Sequence, residues 1–235
     1  MKKTVLKKYA DLLVRCGLNV QKGQEVMIYA DLDQPEFVQM VVEAAYKAKA
    51  KKVIVEWSYQ PLAKVHNKYQ TVKTMGTVEE WQKARQQHFC DVLPARLHLV
   101  SSDPDGLKGM DMMKMAKARK MSYPIMKPYI DQRDNKEQWC IAAVPGAAWA
   151  KKLFPTLSKN QAIEKLWEAI LSAARVDDDP IAAWAKHNAD LKARCDHLNA
   201  LDIRSLHYKA ANGTDLTVGS RSGSSGPRYA FPRRT

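Results

Sequence analysis

Four short, mostly apolar runs, separated by segments long enough to form helices, constrain this chain more than any other feature. Glu25-Val-Met-Ile-Tyr-Ala30 reads as a buried strand, and Val53-Ile-Val-Glu-Trp57, Arg96-Leu-His-Leu-Val100 and the stretch from Gln138 to Ala143 as further strands. The intervals between them carry helix signals. Val5, Tyr9, Leu12, Leu13 and Cys16 recur at helical spacing and stop at Gly17, where a glycine suits a C-terminal cap. Asp33 and Glu36 stand in capping-box spacing ahead of an apolar stripe formed by Phe37, Val38, Val41, Val42 and Ala45. After a polar connection, Thr77 and Glu80 repeat that spacing and open a helix to about Cys90, and a further helix is predicted from about Met110 to Met121. Strands that alternate with helices imply right-handed βαβ units and a mainly parallel sheet covered on both faces. The first 145 residues are therefore expected to form a three-layer α/β domain.

Beyond Pro145 the pattern turns helical. Ser158 and Gln161 form another capping box, followed by Ala162, Ile163, Leu166, Trp167, Ile170 and Leu171 on one face. Asp179 stands as N-cap to a helix with Pro180 in its first turn, running to about Leu201. Leu206, Tyr208 and Ala210 then alternate, and Asn212-Gly213 signals a hairpin leading into Leu216 and Val218. The expected organisation is an α/β domain with a helical C-terminal part over residues 1–204, a hairpin at 205–219 that begins a truncated second domain, and a disordered tail at 220–235. The tail, rich in serine, glycine and arginine, cannot complete a buried sheet.

At 235 residues the chain can bury a full core. It has no apolar run near the roughly 20 residues that span a bilayer, and its start reads as unprocessed and cytoplasmic, with no membrane partner. Cys16, Cys90, Cys140 and Cys195 are far apart and suggest packed thiols, not a zinc ribbon or a disulfide framework. The net charge of +13 raises nucleic-acid binding as an alternative, but the lysines are scattered and no RNA- or DNA-binding signature accompanies them. A basic binding module and a non-catalytic interaction domain are the two alternatives to an enzyme.

Chemistry-bearing patterns are sparse. No His-Glu-x-x-His, Gly-x-Gly-x-x-Gly, Gly-x-Ser-x-Gly or Walker loop is present, which argues against zincins, dinucleotide sites, hydrolase-fold esterases and P-loop enzymes. Asp177-Asp-Asp179 lacks the rest of a calcium loop and reads as helix capping. In open parallel sheets ligands bind at the carboxyl ends of the strands, which here carry Asp31, Asp33, Glu56, Trp57, Ser101, Ser102 and Asp103, with Trp149 on the loop after Pro145. These residues are the candidates for a substrate cleft, against the simpler reading of caps and turn formers.

One ordered set of rare residues goes further. Pro145, Trp149-Ala150 and Phe154-Pro155 are followed by Leu166-Trp167, then Arg175-Val-Asp-Asp-Asp-Pro180 with Trp184 and His187, then Leu198-Asn-Ala-Leu201 and Asn212-Gly-Thr-Asp-Leu216. This series resembles the N-terminal half of the metallo-aminopeptidases of the aminopeptidase T, aminopeptidase S and PepS family. The resemblance implies hydrolysis of the N-terminal residue from peptides by a water activated on two divalent ions of the zinc or cobalt class, in homodimeric enzymes. It also implies that the metal ligands lie downstream, beginning with a Pro-Thr-Glu-Glu segment that has no counterpart here. No catalytic residue, cofactor-binding residue or metal ligand can then be placed on this chain, which is expected to be inactive alone.

Overall fold

The structure, a computed structural model, describes residues 1–219. It contains two compact units, Met1–Pro180 and the part from Ile181 onward, taken separately below.

The first unit is built on a four-stranded sheet in the order β2-β1-β3-β4, parallel throughout. The strands are β1 (Glu25–Asp31), β2 (Lys52–Ser58), β3 (Ala95–Val100) and β4 (Trp139–Ala143). Helices α1 (Lys3–Leu12) and α2 (Pro35–Lys47) lie on one side of it. Val26, Ile28 and Leu97 point to that side from the two central strands, and none is exposed. There Tyr9 of α1, Phe37 of α2 and Trp167 meet as an aromatic trio, with ring centroids 5.5 to 6.2 Å apart. Trp167 comes from α8 (Lys159–Ala173), whose Ser158–Gln161 capping box is formed as the sequence predicts.

The opposite face is more polar. Alternation along β1, β2 and β3 places Glu25, Tyr29, Glu56, Arg96 and His98 there. They meet α5 (Glu80–Val92), through the Arg85–Glu56 and His88–Glu25 pairs, and the end of α6 (Met112–Arg133). Arg133 and Arg96 both pair with Glu137 beside the sheet. The α/β, parallel, three-layer expectation therefore holds.

Several local expectations are corrected. The polar connection after β2 contains α3 (Gln60–Tyr69) and α4 (Val72–Gly76), and the loop after Pro145 contains α7 (Ala147–Leu153). Asp33 does not cap α2: Gln34 is the N-cap, without a side-chain bond, and Pro35 starts the helix. The Asp33 carboxylate accepts the Ser101 hydroxyl instead, so a tertiary partner has taken the group a local cap would use. The box expected at Thr77 and Glu80 forms two residues later, between Glu79 and Gln82, because Thr77 donates its hydroxyl to Lys73 O and closes α4. Gly17 ends a π-helical turn, Leu13–Gly17, without a left-handed φ. Its lack of a side chain serves close packing, since a Cβ there would stand 2.9 Å from Cys140 Sγ. Helix α6 runs well past Met121, through Pro124 and Pro128.

The second unit contains most of α9 (Pro180–Ala200) and a hairpin of β5 (Ser205–Lys209) and β6 (Asp215–Gly219). The strands pair antiparallel, with Leu206 opposite Val218 and Tyr208 opposite Leu216. Asn212 holds the turn, its Oδ1 accepting both the N–H and the hydroxyl of Thr214. The tail expected to be disordered, 220–235, lies outside the described residues. Among those described, no helix is long and apolar enough to cross a membrane.

Candidate functional site

From β1 the chain crosses to β2 on one side, while β3 and β4 lie on the other. The carboxyl ends of β1 and β3 therefore flank a topological switch point, where an open parallel sheet leaves a crevice. A cleft of about 460 Å³ lies there, with Asp31, Asp33, Ser101, Ser102, Asp103 and Gln60 among its lining residues.

Hydroxyls and carboxylates from the two strand ends interlock. Ser102 Oγ donates to Asp31 Oδ2 at 2.6 Å, and Ser58 Oγ, at the end of β2, donates to Asp31 Oδ1. Ser101 Oγ lies 2.7 Å from Asp33 Oδ1 and 3.3 Å from Asp31 Oδ2. With one proton, that hydroxyl serves Asp33 first. Asp31 thus accepts two hydroxyls, one on each oxygen. Asp33, exposed and holding one such contact, keeps most of its acceptor capacity for a ligand.

The walls are fixed by main-chain contacts. Gln60 at the start of α3 makes a reciprocal pair with Asp103, accepting its N–H at 3.0 Å and donating to its carbonyl at 3.0 Å. The Asp103 carboxylate accepts the Asp105 N–H and shapes its own turn. On the far wall Gln34 Nε2 donates to Pro145 O at 3.0 Å, leading into Gly146 and α7. Leu32, Tyr59 and Pro61 supply an apolar rim, and Lys64 a cation, beside Ala147 and Ala148.

Of the residues picked from sequence, Asp31, Asp33, Ser101, Ser102 and Asp103 converge on this cleft. Glu56 does not join them: it faces α5 and pairs with Arg85. Trp57 and Trp149 are not among the lining residues. Gln60, Tyr59, Lys64 and Gln34 escape the sequence reading. The Gln60-Pro61 step is the available signal, because proline in a first helical turn marks a start.

Among the described residues no three His, Cys, Asp or Glu side chains are placed to hold a metal ion. No imidazole lines the cleft with its carboxylates. These residues do not fit a two-ion centre.

Comparison with known proteins agrees with the fold. The chain is 37% identical over 215 residues to aminopeptidase AmpS of Bacillus subtilis, covering 91% of this chain and 52% of that protein. It is 34% identical over 220 residues to aminopeptidase T of Thermus thermophilus, covering 93% and 54%. The solved structure of wild-type AmpT from Thermus thermophilus superposes with a TM-score of 0.81 at 33% identity, covering 92% of this chain and 53% of the other. The chain thus spans about half the length of the curated relatives it matches. The profile of the family described as thermophilic metalloprotease (M29) matches residues 2–225, and the chain belongs to that family.

Proposed function

We propose that this chain is the N-terminal, substrate-facing part of a metal-dependent aminopeptidase and that the cleft at the ends of β1 and β3 takes the amino end of a peptide. The observation that carries this reading is the coincidence of a family match over 2–225 with a carboxylate-lined cleft at the switch point of the sheet. An N-terminal ammonium carries three donors and a positive charge, and Asp33, held toward the cleft by Ser101, supplies an acceptor of opposite charge. Leu32, Tyr59 and Pro61 offer an apolar wall to the first side chain.

The complete enzyme uses two divalent ions of the zinc or cobalt class, by resemblance, to activate water. The described residues do not fit that centre, so this chain's part is to bind and orient. In the same reading the β5–β6 hairpin at 205–219 begins the domain that follows in longer relatives, residues 1–204 form the preceding domain, and the enzyme is a cytoplasmic homodimer. Purified chain is expected to show no turnover of leucine p-nitroanilide with added cobalt or zinc. Chelator-sensitive turnover by the chain alone would overturn the assignment.

A further inference from the structure

The cleft at the ends of β1 and β3 holds charges of both signs. Asp31, Asp33 and Asp103 line it, and Lys64 is the one cation among its described lining residues. Asp33 Oδ2 stands 3.1 Å from where a Cβ of Gly146 would lie, and Ser101 donates to its other oxygen. Lys64 belongs to α3, four residues after Gln60 and so one turn, about 6 Å, further along that helix. It is exposed, and no carboxylate among the described residues stands within ion-pair distance of its ammonium. Lys152, by contrast, is paired with Asp105 at 2.8 Å. The other polar groups of the cleft are committed: Gln60 spends both ends of its amide on Asp103, and the serine hydroxyls turn to Asp31 and Asp33. An uncommitted cation thus shares one cleft with an acid that has acceptor capacity to spare.

We propose that Lys64 binds a carboxylate of the peptide whose amino end lies at Asp33, so that the cleft selects short peptides with a negative charge close behind the first residue. The proposal rests on the amino-end reading above and adds the group that meets the other end. Two extended residues span about 7 Å, and the four-carbon stem of the lysine lets its ammonium follow the ligand. The carboxylate has two possible sources, the C-terminus of a dipeptide or an acidic side chain at the second position. Because Lys64 is exposed, its pair is screened by salt and serves specificity more than affinity.

Chemical-shift titration of the isotope-labelled full chain, without metal, tests it. Leu-Leu should bind about threefold more tightly than Leu-Leu amide at low salt, the size of an exposed ion pair, and the difference should fade as salt is added. Leu-Asp amide against Leu-Asn amide asks the same of the acidic side chain, so the pair of comparisons separates the two sources. Either preference should be lost in Lys64→Gln and reversed in Lys64→Glu, a reversal that a merely structural lysine would not give. Both substitutions put good helix formers at an exposed position, and circular dichroism should be unchanged. N-acetyl-Leu-Leu reports on the amino end separately and should bind weakly to every variant. If the acetylated peptide is rejected but neither carboxylate matters, or if the preference persists unchanged in both Lys64 variants, the role of Lys64 is overturned while the amino-end reading stands. Failure of every peptide to bind would overturn both.

Discussion

A Cβ added to Gly146 would stand 1.9 Å from the carbonyl oxygen of Ser101, a residue only 2% exposed. The chain leaving β4 is thus pressed against the chain leaving β3, and this contact closes one wall of the cleft. Neither backbone can yield as a flexible side chain could. Gly146→Ala should cost about 1–3 kcal/mol, the range for overpacking a filled site. Urea denaturation reads it directly, and an unchanged midpoint would show that the wall is looser than the structure has it.

The aromatic trio of Tyr9, Phe37 and Trp167 joins α1, α2 and α8 across one face of the sheet. Trp167→Ala removes the largest of the three from a buried position and should destabilise by about 3–5 kcal/mol. Trp167→Phe keeps a ring there and should cost clearly less. Equal losses for the two variants would mean that the contact is not aromatic packing but the indole N–H.

His98 stacks on Tyr29 with ring centroids 4.5 Å apart. Burial, and then the Arg96 guanidinium, hold its pKa below the ordinary 6.5. The folded chain therefore binds the imidazole proton less readily than the unfolded chain. The resulting stability is present above about 6.5 and is lost as pH falls through the folded value. Glu137 acts in the opposite sense: burial raises its pKa above 4.5 despite Arg96 and Arg133, so its contribution is present at low pH and fades as pH rises. Comparing the wild type with His98→Phe, which keeps a ring on Tyr29, isolates the histidine. The difference should shrink the wild type's relative stability between pH 7 and pH 5, and parallel curves would contradict the shift.

The four strands and their parallel sense were legible because short apolar runs alternate with segments long enough to form helices. The site residues on strand ends were legible for the same reason: once β1 and β3 are placed, Asp31, Asp33, Ser101, Ser102 and Asp103 follow. Gln60 was not, because its part is a reciprocal bond to the backbone of Asp103, 43 residues away. Local rules misled where tertiary partners competed. Asp33 has the spacing of a cap, yet Ser101 takes its carboxylate. Pro124 and Pro128 look like a helix stop, but α6 continues to Arg133. The Arg133 side chain is buried and bonds Tyr129 O, Gln86 and Glu137, and these contacts anchor the last turns against the cost of two missing N–H groups.

If the Asp33 carboxylate receives the peptide ammonium, Ser101→Ala should loosen it, and Asp33→Asn should remove its charge. Both effects belong to substrate binding, with little change in the chemical step.

Residues 1–219 joined to the part of the Bacillus subtilis relative that this chain does not cover provide the most direct test. The fusion should hydrolyse leucine p-nitroanilide when supplied with cobalt or zinc and lose activity to a chelator. Asp33→Asn in that fusion should raise KM about tenfold or more while kcat changes little, as expected for a lost charge-assisted hydrogen bond. A folded, metal-loaded fusion without turnover, or one whose KM ignores Asp33→Asn, would contradict the assignment of this cleft to the peptide's amino end.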